Sequence, residues 1–385
     1  MSMRIHLSRP DIGEQEIEAV SDVLRSDHLS FGPKLPEFER AFAEYVGTQR
    51  AVAVNSGTSG LFLSLTSLGI GPGDEVITTP FTFIASATTI MMTGAKPVFA
   101  DICPETLNLD PHLLESHITP RTKAIVPVEV FGNPAGVDEI CQTAQRYGLP
   151  VVEDSCEALG TRLNDKMVGS FGELSVFAFY PNKQITTGEG GMILTDRDDL
   201  ADLCVSLRNQ GRGPKPGWLS HERLGYNFRL SDINCALGIV QLSRIEEFVQ
   251  KRDRVAREYG RHLMDLEHLI LPAAPLNCRV SWFVYVVRLT DAFGREDRDA
   301  LLDDLMSQGI QVSNYFPPAH LQPFMAQQFH YQPGDFPVTE GVSQRTIALP
   351  FHNNLSPADV ESVCQALKIS IRTRLQRRPK TSAAL

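Results

Sequence analysis

Short apolar runs alternate with helix-patterned stretches through the first two-thirds of the chain, and few folds accept that rhythm. Ser59–Gly69 has helical apolar spacing and Asp74–Thr78 reads as a strand. Ala85–Thr93 is predicted helical, Lys96–Ala100 a strand, and Ala124–Val130 (AIVPVEV) a buried strand. Val137–Tyr147 follows as a helix, with strands at Leu149–Glu153, Ser175–Phe179 and Gly191–Thr195. Apolar strands separated by helices pack as a mainly parallel sheet with both faces covered. In such doubly wound α/β architectures a ligand sits outside the carboxyl ends of the strands. One long helical pattern then runs from Leu230 to Leu263, after which the texture changes. Val280–Leu289 is strand-like and Arg295–Gln308 helical. A last helix is expected over Ser356–Ser370, with Ser356 as its cap and Pro357 at the first helical position. The chain is therefore read as a large α/β domain over 1–249 and a smaller α+β domain over 250–373. The basic, polar segment 374–385 is expected to be a disordered tail.

At 385 residues the chain exceeds one small core. Its net charge of −10 gives no long-range attraction for nucleic acid. The seven cysteines are scattered, with no CxxC and no Cys/His spacing suited to zinc, so no metal site is expected. Such cysteines suit reduced thiols in the cytoplasm, and no signal-peptide h-region opens the chain. Residues 76–95 carry no charge and are long enough to span a bilayer. Their six threonines and Pro80 fit a strand, a loop and a buried helix better, so no membrane association is expected.

Lys183 stands in FAFYPNKQITTGEGGMIL, where Pro181 stops a strand and a glycine-rich turn follows. A lone loop lysine is ordinarily a solvated surface group. Aromatic neighbours and the GEGG turn weigh against that here, and a desolvated lysine can attack a carbonyl. Asp154 follows the strand LPVVE. It suits either a helix cap or an ion pair with a protonated pyridine nitrogen. Asn55-Ser56-Gly57-Thr58-Ser59-Gly60 precedes an apolar helix, whose first N–H groups could bind phosphate or simply be capped by serine. Phe83 could stack on a flat ring or fill a core. Tyr226–Arg229 could be no more than a cap and staple before the next helix. GxGxxG and GxxxxGK[ST] are both absent, which removes the standard nucleotide-binding readings.

Lys183, Asp154, the Asn55–Gly60 turn and LGYNFRLSDINCALGIVQL, in that spacing, resemble the DegT/DnrJ/EryC1/StrS family of pyridoxal 5′-phosphate (PLP)-dependent sugar aminotransferases. The resemblance extends from PDIGEQEIEAV through SFGPKLPEFERAFAEYVG to ALPFHNNLS. It implies the type I, aspartate aminotransferase fold, with a mainly parallel seven-stranded sheet in the large domain. It implies Lys183 as the Schiff-base lysine and Asp154 as the pyridinium partner. Phe83 would stack on the ring, Glu157 would lie near its face, and Gly57, Thr58 and Ser59 would hold the phosphate. Asn227 would reach that phosphate from a neighbouring subunit, which implies a homodimer with shared active sites. Arg229, Arg212, Glu129, Tyr315 and His320 are the candidate substrate contacts. Two positions depart from the family pattern: Ala178 stands where many members have serine, and Glu129 where histidine is common. Deoxygenating relatives carry histidine in place of the lysine, so retention of Lys183 disfavours that branch. The expected reaction moves an amino group from L-glutamate to a nucleotide-linked keto-sugar, a 4-keto-6-deoxy hexose. The rivals are amination of a keto-cyclitol and a non-catalytic PLP-fold sensor.

Overall fold

A computed structural model of the chain describes residues 3–213 and 220–377. Its centre is a seven-stranded sheet built from β1 (Arg50–Val54), β2 (Glu75–Thr78), β3 (Lys96–Phe99), β4 (Thr122–Ile125), β5 (Val152–Asp154), β6 (Leu174–Ala178) and β7 (Gly191–Thr195). The strands lie in the order β1-β7-β6-β5-β4-β2-β3, with β4 and β5 joined by the parallel bridges Ile125–Val151 and Val128–Asp154. β7 runs antiparallel to both neighbours, and the remaining pairs are parallel. β7 reverses because no helix lies between it and β6, whereas parallel neighbours need a crossover.

Alternate strand residues feed opposite layers, as the pleat requires. Val52, Val54, Val176 and Ile193 pack with Leu61, Leu65, Ile90, Leu200 and Cys204 of α3 (Gly57–Ser67), α4 (Ala85–Met92) and α6 (Asp198–Arg208). Ala53, Phe177, Met192 and Leu194 pack on the other face, against Phe38 and Phe42 of α2 (Lys34–Val46) and Phe248 of α8 (Ile245–Leu263). The expected doubly covered sheet is thus present. α3 is buried almost all round and packs so closely that a Cβ on Gly60 would lie 2.6 Å from a Val176 methyl.

Several elements depart from the sequence reading. α1 (Glu14–Arg25), α2, β1 and α6 were not foreseen as elements, whereas α5 (Val137–Tyr147) and α9 (Arg295–Ser307) lie where helices were expected. Within the run Ala124–Val130 the strand itself ends at Ile125; the Val126 N–H still donates to the Ile77 carbonyl at 2.8 Å, but Pro127 has no N–H to continue the ladder. The carbonyl of Pro127 still accepts from the Asp154 N–H at 2.9 Å, and a 3₁₀ turn follows with Phe131 at φ 58°. The long helix expected over Leu230–Leu263 is two, α7 (Asp232–Ser243) and α8, meeting at Arg244 (φ −99°, ψ 4°). Residues 76–95 form β2, a turn and α4, and no helix among the described residues is long and apolar enough to cross a membrane.

A second core gathers Tyr285 and Val287, Leu301 and Leu305, Ile347 and Leu349, and Val363 and Leu367. Ile5, near the chain's start, packs into it. α8 links the two cores: Phe248 and Val249 sit in the first, Val255, Tyr259 and Leu263 in the second. The expected boundary at 249/250 therefore falls inside a continuous helix. The final helix, α10 (Pro357–Arg377), is capped as expected, with the Ser356 hydroxyl accepting from the Asp359 N–H at 3.1 Å. It carries on into the segment expected to be a disordered tail, and Leu375 packs on the second core. The rest of that segment, 378–385, lies outside the described residues.

Candidate active site

The carboxyl ends of β2, β4, β5 and β6 open onto a cavity of about 480 Å³. Thr82 and Phe83 follow β2, Val128 follows β4, Asp154 ends β5 and Ala178 ends β6, and all line the cavity. This is where a parallel sheet leaves strand-end side chains and backbone unpaired, hence where ligands bind.

Asp154 is buried and held in one orientation. Its Oδ2 accepts from the Ser86 hydroxyl at 2.6 Å and its Oδ1 from the Cys156 N–H at 3.4 Å. Ser86 belongs to α4 and also bonds the Thr82 hydroxyl at 2.8 Å. One carboxylate oxygen thus has a single strong donor and the other a weak one, so acceptor capacity remains for a cationic donor in the cavity.

Lys183 lines the same cavity, its side chain 14% exposed. Its Nζ lies 3.7 Å from Glu157 Oε1 and 4.0 Å from the centre of the Phe283 ring. Glu157 is held from behind by the Phe131 N–H, 2.8 Å from its Oε2. Burial pushes the Glu157 carboxyl above the usual range, against the lowering effect of the Lys183 ammonium. Amine, acid and ring form a compact unit from which bulk water is largely excluded.

At the other end of the cavity stands the N-terminus of α3. The Ser56 hydroxyl caps it, accepting from the Ser59 N–H at 3.0 Å. The N–H groups of Gly57 and Thr58, at the first two helical positions, have no carbonyl within the helix to reach. A Cβ on Gly57 would lie 2.8 Å from the Ala178 Cβ and 3.0 Å from Cys156 Sγ, so only glycine fits there. A helix end of this kind favours an anion. Tyr315, Phe316 and Phe283 give the cavity an apolar wall, and Phe83 is 61% exposed at its mouth.

PLP requires an amine for its aldehyde, a carboxylate for its ring nitrogen, a slot for a flat ring and donors for a phosphate. The cavity supplies all four in one place, and the cofactor fits the residues present. Lys183, Asp154, Gly57, Thr58, Phe83 and Glu157 all line this one cavity, as does Tyr315 among the substrate-side candidates.

Other expected residues do not line this cavity. The Ser59 hydroxyl is turned back to Asn55 Oδ1 at 2.7 Å. Asn227 is exposed and bridges Asn209 instead. Arg229 bonds Asn209 Oδ1 at 3.2 Å and stacks 5.1 Å from the Phe31 ring. Arg212 bridges His221, beside the stretch 214–219 that lies outside the described residues. His320 is fully buried, bonded to Glu340 at 3.1 Å and packed 4.7 Å from the Phe336 ring, so it serves packing rather than the cavity. Ser86, Tyr180, Asn182, Phe283 and Phe316 are among the contributors that the sequence did not single out. Ser86 is one of three polar residues in α4, beside Thr88 and Thr89, so nothing local set it apart.

Glu129 also leaves the substrate side, because its side chain points into the protein and is 1% exposed. Neither of its carboxyl oxygens meets a hydrogen-bond donor at bonding geometry, although the Ser155 hydroxyl is close enough to temper the effect of burial. Its neighbour Glu153 accepts three backbone N–H groups, from Gly169, Phe171 and Gly172. Glu153 is therefore the better placed of the pair to carry charge, and Glu129 the one to take up a proton. Burial, then the Glu153 charge, raises the Glu129 pKa well above the usual range. A raised carboxyl pKa contributes stability that is complete below the ordinary glutamate range and is lost as pH rises through the folded value. Glu129→Gln is expected to remove that loss. As pH rises above the ordinary glutamate range the wild-type Tm should fall relative to the variant, measured calorimetrically. Parallel curves would show that Glu129 is already ionised.

Comparison with known proteins agrees with this geometry. Residues 10–368 match the model of the DegT/DnrJ/EryC1/StrS aminotransferase family. The chain is 40% identical over 372 residues to the spore coat polysaccharide biosynthesis protein SpsC of Bacillus subtilis, covering 94% of this chain and 95% of that one. It is also 40% identical over 367 residues to GDP-perosamine synthase of Caulobacter vibrioides, covering 94% and 97%. Among solved structures, PseC of Helicobacter pylori, an aminotransferase involved in pseudoaminic acid biosynthesis, superposes with a TM-score of 0.91 at 30% identity, covering 96% of this chain and 99% of that one. The chain therefore belongs to the DegT/DnrJ/EryC1/StrS aminotransferase family, and it is a PLP-dependent aminotransferase of the type I fold.

Proposed function

We propose that this enzyme transfers the amino group of L-glutamate to a nucleotide-linked keto-sugar, a 4-keto-6-deoxy hexose. The observation that carries the chemistry is the enclosed Lys183 amine, set between Glu157, the Phe283 ring and the strand end that bears Asp154. The acceptor class is supported by 40% identity, over nearly the whole length of both chains, to a relative named for a GDP-linked product.

When bound, PLP supplies the electron sink that lets an amino group leave one carbon and join another. Lys183 anchors it and afterwards, as a free amine, takes the proton from the donor's α-carbon and returns it one step further on. Asp154, fixed by Ser86, would hold a proton on the ring nitrogen. The N–H groups of Gly57 and Thr58 would receive the phosphate, and Ala178 offers no hydroxyl to assist them. The exposed Phe83 would stack on the ring. Asn227, exposed and outside its own cavity, is assigned to the phosphate of a partner subunit in a homodimer. The exposed Leu29 and Phe31, at 48% and 49%, are apolar surface that such a partner would cover.

The test is a panel of nucleotide-linked keto-hexoses and free cyclitol ketones, each offered with L-glutamate and followed by release of 2-oxoglutarate. Turnover confined to the nucleotide sugars is expected. Turnover only of the cyclitol ketones would overturn the acceptor while leaving the aminotransferase intact.

A further inference from the structure

Arg252 lies on α8 and is 3% exposed, yet among the described residues no carboxylate bonds it. Its guanidinium instead donates to three main-chain carbonyls: Trp282 at 3.1 Å, Phe283 at 3.0 Å and Lys183 at 3.1 Å. Its Nε–H is buried without an acceptor, and the face of the group lies 5.7 Å from the Phe351 ring. Burying a cation that bonds no carboxylate is costly, the nearby Asp11 charge offsets only part of that cost, and neutral side chains can satisfy carbonyls without it. A residue kept under those terms is doing something that a neutral donor would not.

The carbonyls it chooses suggest what. One belongs to Lys183 and another to Phe283, whose ring lies 4.0 Å from the Lys183 Nζ. A single rigid fork thus fixes the backbone beneath the amine and the backbone beneath the ring that covers it. The next residue adds a second tie. Gln184 Nε2 donates to the Glu157 carbonyl at 2.6 Å and to the Ser281 hydroxyl at 2.9 Å. Ser281 in turn accepts from the Thr161 hydroxyl at 3.0 Å, and all three side chains are buried. Lys183, Glu157 and Phe283 therefore share one hydrogen-bonded frame.

We infer that Arg252 is a positioning residue for Lys183, locking its backbone and the Phe283 ring so that the amine returns to one place each time it is released. This rests on Lys183 being the lysine that bears PLP. The amine alternates between bound and free during the reaction, and a small displacement of a reacting group costs orders of magnitude in rate. Lysine cannot replace the fork, since a single ammonium on a flexible stem does not span two chain segments in a fixed plane.

The test compares wild type, Arg252→Lys and Phe283→Leu as purified apoproteins and after reloading. Added PLP should develop its visible band about ten-fold more slowly in Arg252→Lys, and the midpoint of that band's pH titration should move. kcat should fall by about ten-fold or more, with the KM for L-glutamate changed by less than about three-fold. Phe283→Leu keeps every hydrogen bond of Arg252 but removes the ring, and should move the same midpoint without slowing band formation as much. If Arg252→Lys loses thermal stability but keeps wild-type band formation, midpoint and kcat, Arg252 is structural only and the inference fails. If Arg252→Lys does not fold, an unchanged midpoint in Phe283→Leu overturns the inference instead. A wild-type protein that develops no band would sink the assignment of Lys183 itself, a distinct outcome.

Discussion

Lys183→Ala is expected to give a folded, colourless protein whose aminotransferase activity falls by about 10⁴-fold or more. Two losses combine. The amine that attaches PLP disappears, so the cofactor is held only by Asp154, the α3 N-terminus and its neighbours, and should wash out on dialysis. The same amine is the group that moves the donor's α-proton, and removing a placed acid/base alone costs about 10²–10⁴-fold. The fold should survive, because among the described residues the Lys183 ammonium meets the Glu157 carboxylate at 3.7 Å and the Phe283 ring and bonds no other side chain. Glu157, already pushed upward by burial, then loses the lowering effect of its cationic neighbour and is pushed further towards its neutral form, which eases the cost of a buried unpaired charge. Visible absorption, cofactor content after dialysis and single-turnover rates with L-glutamate are the measurements. A variant that stays yellow after dialysis and turns over within ten-fold of wild type would remove Lys183 from its role.

What the sequence made legible follows from which signals are local. Strand–helix alternation is written in short windows, so the sheet and the placement of Asp154 and Lys183 at strand ends could be read directly. Glycine at position 57 carried a packing reason that became visible only with Ala178 and Cys156 against it. β1 was missed because RAVAV is short and runs straight into the Asn55–Gly60 turn, where the helix signal dominates. Side-chain direction was the chief source of error. Glu129 follows Val128, which lines the cavity, but alternation along an extended chain sends its carboxyl the other way, into the interior. His320 looked chemical because histidine so often is, yet it is enclosed by Phe99, Tyr331 and Phe336, residues that no local pattern connects to it. Arg252 could not be found from sequence at all. It sits in QKRDRVAREYG among arginines that face solvent, and only the tertiary approach of residues 183 and 282–283 sets it apart.

The second large effect is expected at Asp154, where charge and position can be separated. Asp154→Asn keeps the shape and can still accept from the Ser86 hydroxyl, now 2.6 Å from Oδ2, but it removes the negative charge. The other carboxylates lining the cavity are poorly placed to take over: Glu189 is solvent-exposed. Glu157 is turned towards Lys183 and the Phe131 N–H, and burial already opposes its ionisation. Without Asp154 the ring nitrogen has no anion to hold its proton, and the cofactor loses much of its power to accept electrons. Breaking a buried charge pair by neutralising one partner costs about 3–5 kcal/mol, which converts to about 10²–10³-fold or more in rate. Ser86→Ala makes the contrast: it keeps the carboxylate and removes one neutral donor, worth about 1.5–3 kcal/mol at most when the acceptor is charged. Its activity should lie between wild type and Asp154→Asn, with cofactor affinity little changed. If Ser86→Ala and Asp154→Asn lose activity equally, the carboxylate's orientation rather than its charge is what the reaction needs. If Asp154→Asn turns over within a few-fold of wild type, the ring nitrogen is not paired with Asp154.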